Sequence, residues 1–323
     1  MGEEWDVLKR VQLGQTGLEV TELCFGVLPC GPLQKDLPEE ECVSLIRAAL
    51  EAGINFFDTA EMYKTQTYLG KALKGWEEPV VVATKSHATT YEDMQASVEK
   101  SLAELDRDVI EIYHLHAARV DEKVFNERAG ALECLKDYKA KGTIKAVGIS
   151  THNVKAVRAA AARDDIDVIF PLINKVGRGL LGGTVEEMIA AIGEAAAAGK
   201  GVYAMKALAG GHLLGDIAAA YTFVREIPGN QATAVGMVNR QELEYNVAFF
   251  AGREIPQNLA GTAAIKSKKI LISDFCAGCG SCVKACPNGA LSLQEGKAVV
   301  DHSKCILCGY CNPVCPDFAI RLI

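Results

Sequence analysis

Eight of the twelve cysteines stand in two runs of identical spacing near the carboxyl end of the chain. The first run is Cys276, Cys279, Cys282 and Cys286, and the second is Cys305, Cys308, Cys311 and Cys315. Each run has the form C-x2-C-x2-C-x3-C-P, a spacing with which thiolates hold iron–sulfur clusters. Glycines such as Gly278, Gly280 and Gly309 let the backbone bend close to the sulfur atoms. The two runs therefore predict two [4Fe–4S] clusters.

Residues 272–323 resemble the bacterial two-cluster ferredoxins, in which each run gives its fourth cysteine to the other cluster. The resemblance implies one cluster held by Cys276, Cys279, Cys282 and Cys315 and another held by Cys305, Cys308, Cys311 and Cys286. Zinc does not explain the third cysteine and the Cys-Pro of each run. A disulfide framework would need a secreted chain, and residues 1–6 show neither the basic nor the apolar part of a signal peptide.

The composition of the 323 residues is that of an ordinary globular protein, with 49% apolar residues, 23% charged residues and a net charge of −7. Nothing is basic enough to indicate nucleic acid, and the chain has no apolar run of about 20 residues that could cross a membrane. We expect a cytoplasmic protein. The remaining cysteines are expected to be buried thiols in a reducing compartment: Cys24, Cys30, Cys42 and Cys134.

Four side chains that together suit carbonyl chemistry follow three consecutive predicted strands. Asp58 and Tyr63 follow the second strand, Lys85 the third and His116 the fourth. A lysine beside a tyrosine stabilises its phenolate, which makes the phenol a better proton donor. Asp58 would hold that lysine, and a histidine could bind a carbonyl oxygen. Each residue alone has an ordinary structural explanation, but the set favours a general-acid site for C=O reduction.

Eight strand–helix units must position these residues. The predicted strands are 23–27, 54–57, 80–84, 109–115, 144–149, 168–173, 202–205 and 233–237. Capping patterns at Thr90 and Thr184 predict two of the helix starts. This count is typical of a (β/α)8 TIM barrel, whereas an open doubly wound sheet would normally show a G-x-G-x-x-G turn. We predict a barrel over 1–252, a linker over 253–271 and a small ferredoxin-like α+β domain over 272–323.

Residues from about 10 to 250 resemble the aldo-keto reductase family, chiefly in segments 13–20, 52–63, 82–85, 112–116 and 148–150. The resemblance implies a catalytic tetrad of Asp58, Tyr63, Lys85 and His116 and an NAD(P)H cofactor that passes hydride to a carbonyl carbon while Tyr63 donates the proton. It also places Ser150 at the nicotinamide amide. The pyrophosphate would lie near Leu208, Gly210 and Gly211.

Two stretches depart from the family pattern. Phe170 and Met205 stand where a glutamine and an aromatic residue usually bracket the nicotinamide, and Met205 is expected to stack on it. After the eighth strand, Glu242 takes the place of a phosphate-binding arginine or glutamine, while Asn246 fits the pattern. A carboxylate repels a 2′-phosphate, which predicts a preference for NADH, although Arg240 could still bind that phosphate.

The two halves favour an oxidoreductase that reduces a small carbonyl compound, or oxidises an alcohol, and whose clusters transfer electrons, with a redox partner protein possible. Nicotinamide carries two electrons as a hydride and each cluster carries one, so exchange would need a flavin or similar cofactor, for which the sequence shows no motif. The alternative is a redox-responsive nucleotide-binding protein with structural, sensory or partner-docking clusters. Loops 28–38, 117–128 and 175–183 should shape the substrate pocket. Their charged residues could meet an anionic or hydroxylated carbonyl compound, although most such charges are simply solvated: Lys35, Arg119, Asp121, Lys175 and Arg178.

Overall fold

A closed barrel of eight parallel strands forms the larger part of the computed structural model, which describes residues 8–256, 259, 269–274, 276–312, 314–316 and 319–322. The barrel strands are β3 (Leu23–Gly26), β4 (Phe56–Asp58), β5 (Val81–Ser86), β6 (Ile110–His116), β7 (Ile144–Thr151), β8 (Val168–Pro171), β9 (Gly201–Met205) and β10 (Ala232–Gly236). Each strand pairs with the next along the chain, and β10 pairs with β3 to close the ring. The predicted barrel is confirmed.

Helices surround the barrel and cover its outer face. They are α1 (Glu39–Glu51), α2 (Gln66–Leu73), α3 (Tyr91–Leu105), α4 (Val124–Glu127), α5 (Ala129–Ala140), α6 (Val154–Ala161), α7 (Val185–Ala197), α8 (Ile217–Arg225) and α9 (Arg240–Phe250). Both predicted caps form: Thr90 accepts the amide of Asp93, and Thr184 and Glu187 make a reciprocal capping box. Cys24, Cys30, Cys42 and Cys134 are all buried, as expected.

A hairpin that the strand pattern did not predict closes the amino-terminal end of the barrel. It pairs β1 (Arg10–Gln12) with β2 (Glu19–Thr21). The turn between them buries Leu13 against the barrel interior, and the Gln15 amide donates to the carbonyl of Gly199 at 2.9 Å. With this end filled by apolar side chains, the opposite end remains for the polar residues.

The carboxyl-terminal domain is built from two antiparallel pairs and a short helix. Strand β11 (Ile270–Ile272) pairs with β14 (Ile320–Leu322), β12 (Leu291–Gln294) pairs with β13 (Lys297–Val300), and α10 covers Ser281–Ala285. Part of the predicted linker over 253–271, namely 257, 258 and 260–268, lies outside the described residues. We call residues 269–322 the cluster module.

The cluster module packs on the carboxyl-terminal end of the barrel. Ile306, Cys308 and Tyr310 are buried in one apolar cluster with residues of the barrel loops, among them Leu33 and Tyr63. At Gly210, a Cβ atom would lie only 1.9 Å from the carbonyl oxygen of Ile306, so only glycine permits this backbone approach. The module thus covers the face where barrel enzymes carry their chemistry.

Candidate active site and cluster sites

Asp58 and Lys85 form a buried ion pair at the strand ends. The Lys85 Nζ atom donates to Asp58 Oδ1 and to the Thr59 carbonyl oxygen, both at 2.6 Å, and only 1% of the lysine is exposed. Burial raises the pKa of Asp58 and lowers that of Lys85, since desolvation disfavours both charges, and their mutual attraction opposes these shifts. Asp58, Lys85 and His116 belong to their strands, which extend further than predicted because these polar residues still pair through the backbone.

Tyr203 and His114, which the sequence analysis did not single out, lie inside the barrel next to this ion pair. Tyr203 donates its hydroxyl to Asp58 Oδ2 at 3.1 Å and lies 2.7 Å from His114 Nε2. Phe170, predicted to lie beside the nicotinamide, stacks on Tyr203 with ring centroids 4.0 Å apart. Tyr203 stands on β9 and His114 on β6. The alternation of side chains along a strand could have predicted that both point into the barrel.

Tyr63 and His116 converge on a third residue, Tyr310, which comes from the cluster module. The Tyr310 hydroxyl lies 2.9 Å from His116 Nε2 and is hydrogen-bonded to Tyr63. The Lys85 Nζ atom lies 5.0 Å from the centroid of the Tyr63 ring. Burial, with Tyr310 and Asp58 nearby, raises the pKa of Tyr63 well above its ordinary value, which keeps the phenol protonated.

His116 is a neutral imidazole in this setting. Burial, with His87 and Lys85 close by, holds its pKa well below the ordinary range. His87 stacks on it at 4.1 Å between ring centroids, and Arg128 donates to its backbone carbonyl at 2.9 Å. A neutral histidine can donate one hydrogen bond to an oxygen atom without carrying a charge into the site.

A cleft beside Asp58 and Tyr63 reaches the carboxyl ends of β9 and β10. Its lining includes Asp58, Tyr63, Phe170, Met205, Lys206, Leu208, Gly210, Gly211, Tyr221, Glu242 and Leu307. Most residues predicted to bind the cofactor thus share one cleft. Ser150 lies buried at the end of β7, Arg240 is exposed at the start of α9, and Asn246 is buried further along α9, all three outside this lining.

The cleft suits an extended dinucleotide. Gly210 and Gly211 have φ of +69° and +101°, values that favour glycine. Without side chains, these two residues leave their backbone accessible to a ligand in the cleft. Lys206, which sequence reasoning also missed, directly follows β9 and supplies a cation there, although burial lowers its pKa. Asn246 Oδ1, outside the cleft lining, is buried without a hydrogen-bond partner among the described residues.

The Glu242 carboxylate also has a structural role. Its Oε2 accepts the amide of Val238 at 2.8 Å, and its own amide donates to the side chain of Asn239 at 2.8 Å. Glu242 therefore completes the cap of α9 while it lines the cleft. Any substitution there alters this cap as well as the charge of the cleft.

Four cysteines of the first predicted ligand set surround one small cavity. They are Cys276, Cys279, Cys282 and Cys315, and the rest of the lining is Ala277, Gly278, Gly280, Ala298 and Ile320. Backbone amides point at the sulfur atoms: Ala298 donates to Cys276 at 3.5 Å and Ala319 to Cys315 at 3.2 Å. Such N–H donors stabilise ligand thiolates, so the cavity and its donors fit an iron–sulfur cluster.

The second predicted ligand set is also gathered in one place, nearer the barrel. Burial raises the pKa of Cys311, and the neighbouring thiols of Cys308, Cys305 and Cys286 raise it further. Ala290 donates its amide to the Cys286 sulfur at 3.2 Å. Within the described ranges, no three acidic, histidine or cysteine side chains converge on a single metal ion. A [4Fe–4S] cluster takes four cysteine thiolates, and each set supplies four.

Comparison with known proteins finds a family match for each half of the chain. Residues 22–222 match the family described as "Aldo/keto reductase family". The chain belongs to the aldo/keto reductase family. Residues 275–319 match the domain described as "4Fe-4S dicluster domain", so this member of the family carries an iron–sulfur domain. No helix among the described residues is long and apolar enough to cross a membrane.

Individual relatives agree with this assignment. L-galactose dehydrogenase of Arabidopsis thaliana is 32% identical over 152 residues, which are 43% of this chain and 47% of that protein. "Probable aldo-keto reductase 1" of Glycine max is 31% identical over 206 residues, 54% of this chain and 58% of that protein. The chain thus spans about half the length of these curated relatives. The crystal structure of PA4992 from Pseudomonas aeruginosa has a TM-score of 0.67 at 29% identity and covers 76% of this chain and 97% of its own.

The loops expected to shape a substrate pocket hold the cluster module instead. Arg119 donates to the Lys284 carbonyl at 2.7 Å, and Arg178 donates to the carbonyls of Ser303 and Cys305. The expectation that these arginines meet an anionic substrate is therefore wrong for the described conformation. A guanidinium has five donors and no acceptor, so backbone carbonyls of a second domain satisfy it as well as a ligand would.

Proposed function

We propose that the protein is an NAD(P)-dependent oxidoreductase that transfers hydride between nicotinamide and the carbon of a small carbonyl or alcohol, and that its cluster module exchanges electrons with the barrel site. One observation carries the proposal. The buried Asp58–Lys85 pair, Tyr63 and His116 meet at the carboxyl-terminal end of the barrel strands, Asp58 and Tyr63 line the cleft, and Cys308 of the second cysteine set packs in the same apolar cluster as Tyr63.

Each side chain of the tetrad has a part that follows from its surroundings. Tyr63 is protonated and buried, so it can donate a proton to a carbonyl oxygen. The ammonium of Lys85 would stabilise the phenolate that remains, and Asp58 keeps that ammonium charged and in place. Neutral His116 would donate a hydrogen bond to the same oxygen.

The cluster module lies next to the cleft, where its clusters could exchange electrons with the barrel site. A [4Fe–4S] cluster passes single electrons, whereas nicotinamide passes a hydride, so a flavin or similar cofactor would have to join the two. Leu307 lines the cleft, and the adjacent Cys308 is buried beside Lys206. Cys279 of the first set is exposed, which suits docking of a redox partner protein. Clusters and buried thiols of this kind need a reducing compartment, in keeping with a cytoplasmic protein.

Transfer of deuterium tests the hydride chemistry. The cluster-loaded protein is incubated with NADH or NADPH deuterated at C4 and a panel of small aldehydes, ketones and the corresponding alcohols. We expect deuterium in the alcohol product from one face of the nicotinamide, and loss of at least about a hundredfold in kcat for Tyr63→Phe, as for other general acids.

Tyr138→Phe is the matched control, because Tyr138 lies on α5 and donates its hydroxyl to Glu99 outside the cleft. It should keep its turnover. If both nucleotides bind but no carbonyl or alcohol in the panel exchanges deuterium, the proposal is wrong and the alternative of a redox-responsive nucleotide-binding protein is favoured.

A further inference from the structure

The residue before the third cysteine differs between the two runs, and in the second run this residue contacts the barrel. Cys279 and Cys282 enclose Gly-Ser281, whereas Cys308 and Cys311 enclose Gly-Tyr310. Ser281 stays within the module, where its Oγ lies 3.5 Å from the Cys279 sulfur. Tyr310 reaches out of the module into the barrel and is 9% exposed. Cluster binding alone therefore does not explain a tyrosine at this position.

The Tyr310 hydroxyl stands where the proposed reaction requires a substrate oxygen. It lies 2.9 Å from His116 Nε2 and shares a hydrogen bond with Tyr63. Under the proposed function, these same two groups bind the carbonyl oxygen. Two oxygen atoms cannot occupy one position, so the described conformation excludes a carbonyl group from the catalytic end of the cleft.

Several contacts hold the backbone on either side of Tyr310 against the barrel loops. Gly309 has φ +81°, and a Cβ atom there would lie 2.6 Å from the carbonyl oxygen of Leu33. Gln34 donates to the Leu307 carbonyl at 3.3 Å, and His212 Nε2 lies 2.5 Å from the Cys305 carbonyl. The tyrosine is thus held in the site by the docked segment 305–311.

We propose that Tyr310 is a plug whose hydroxyl takes the place of the substrate oxygen, so that a carbonyl substrate enters only when segment 305–311 withdraws. The inference rests on the proposed function. The apparent affinity for a carbonyl compound is then the intrinsic affinity reduced by the fraction of molecules in the withdrawn state. Removal of the tyrosine raises that affinity without any new contact to the substrate.

Calorimetric titration of the cluster-loaded protein with benzaldehyde, at saturating oxidised nicotinamide nucleotide, measures this affinity without turnover. Tyr310→Ala should bind benzaldehyde at least about tenfold more tightly than the wild type, and Tyr310→Phe less than that because its ring still fills the space. Ser281→Ala is the matched control at the equivalent position of the other run, and it should bind as the wild type does. Iron content and the EPR spectrum establish that each variant holds both clusters.

A second variant covers the case in which Tyr310→Ala loses a cluster. Arg178 donates to the backbone of Ser303 and Cys305 from outside the cleft, so Arg178→Ala loosens the segment and leaves Tyr310 unchanged. It should raise benzaldehyde affinity by a smaller factor in the same direction. Equal or weaker binding in both Tyr310→Ala and Arg178→Ala overturns the plug.

The outcome is separable from that of the proposed function. If the wild type turns over carbonyl compounds and Tyr310→Ala binds no more tightly, the plug is wrong and the reductase stands. If no protein turns over but benzaldehyde binds to Tyr310→Ala more tightly than to the wild type, the plug stands and the hydride chemistry fails. If benzaldehyde binds to none of them, the plug is wrong, and the deuterium panel decides the hydride chemistry separately.

Discussion

Gly210→Ala should separate the cluster module from the barrel mouth. The residue has φ +69°, where a side chain costs about 1–2 kcal/mol, and the new Cβ would stand 1.9 Å from the Ile306 carbonyl oxygen. Forced overpacking of this kind costs a further 1–3 kcal/mol or so. The φ strain is present whether or not the module is docked, so the clash alone disfavours the docked state, by about 1–3 kcal/mol, and the population of the undocked state rises by roughly 5-fold to 150-fold.

Hydrogen exchange followed by mass spectrometry reports this population directly, because amides buried only by docking exchange when the module opens. Peptides that cover segment 305–311 should exchange at least about fivefold faster in Gly210→Ala, while those of the barrel strands stay protected. Gly211→Ala is the matched control. It also adds strain at positive φ, but its nearest neighbours would be side-chain carbons of Leu214 and Leu307 at 3.6 and 3.9 Å.

Equal exchange of segment 305–311 in Gly210→Ala and Gly211→Ala would mean that a clash with Ile306 does not release the module, since this clash distinguishes the two variants. Faster exchange throughout the barrel would also count against it, because that result means general unfolding and not release of one domain. The control variant should remain close to the wild type in this segment.

Three further changes have outcomes that follow from the site. Asp58→Asn leaves the buried Lys85 charge unpaired and should lower the free energy of unfolding by about 3–5 kcal/mol, which a second change, Lys85→Met, should largely restore; urea titration measures both. Burial lowers the pKa of His152 to about 3, so below pH 6.5 the unfolded chain binds a proton that the folded chain does not, and stability falls as the pH falls. At pH 5 this amounts to about 2 kcal/mol, and His152→Gln should weaken the loss of stability between pH 6.5 and 5. Glu242→Gln removes the carboxylate charge while keeping hydrogen-bonding atoms, and it should raise kcat/KM for NADPH relative to NADH; Glu242→Arg should do so further.

Each of these expectations has a result that contradicts it. An Asp58→Asn protein as stable as the wild type would mean that the buried pair makes no net contribution. An unchanged stability profile between pH 6.5 and 5 in His152→Gln would mean that another group binds the proton. A strong preference of the wild type for NADPH would show that Glu242 does not repel the 2′-phosphate.

The barrel and its polar strand ends were predictable because they depend on local patterns. Strand–helix alternation fixed the eight units, and Asp58, Lys85 and His116 follow from strand ends, which converge in a parallel barrel. The resemblance to two-cluster ferredoxins implied which four cysteines share each cluster site, and the structure brings the same sets together. These inferences need only the order of residues along the chain.

The contacts between the halves were not predictable, because they depend on how two domains meet. Nothing local shows that Tyr310 reaches His116, 194 positions earlier in the chain. Arg119 and Arg178 looked like substrate ligands because a surface arginine binds a carboxylate and a domain backbone by the same donors. The structure is needed to show contacts of this interface such as the close approach of Gly210 to Ile306.

We propose that the barrel site and the clusters form one redox unit. An anaerobic titration of the as-purified, cluster-loaded protein with NADH and then NADPH tests this coupling, with cluster absorbance and EPR followed after bound flavin has been assayed. We expect that a reduced nicotinamide reduces the clusters, and that Gly210→Ala slows this step more than Gly211→Ala does. Nicotinamide that binds while the clusters stay oxidised would contradict it, and the barrel would then be a self-contained hydride enzyme.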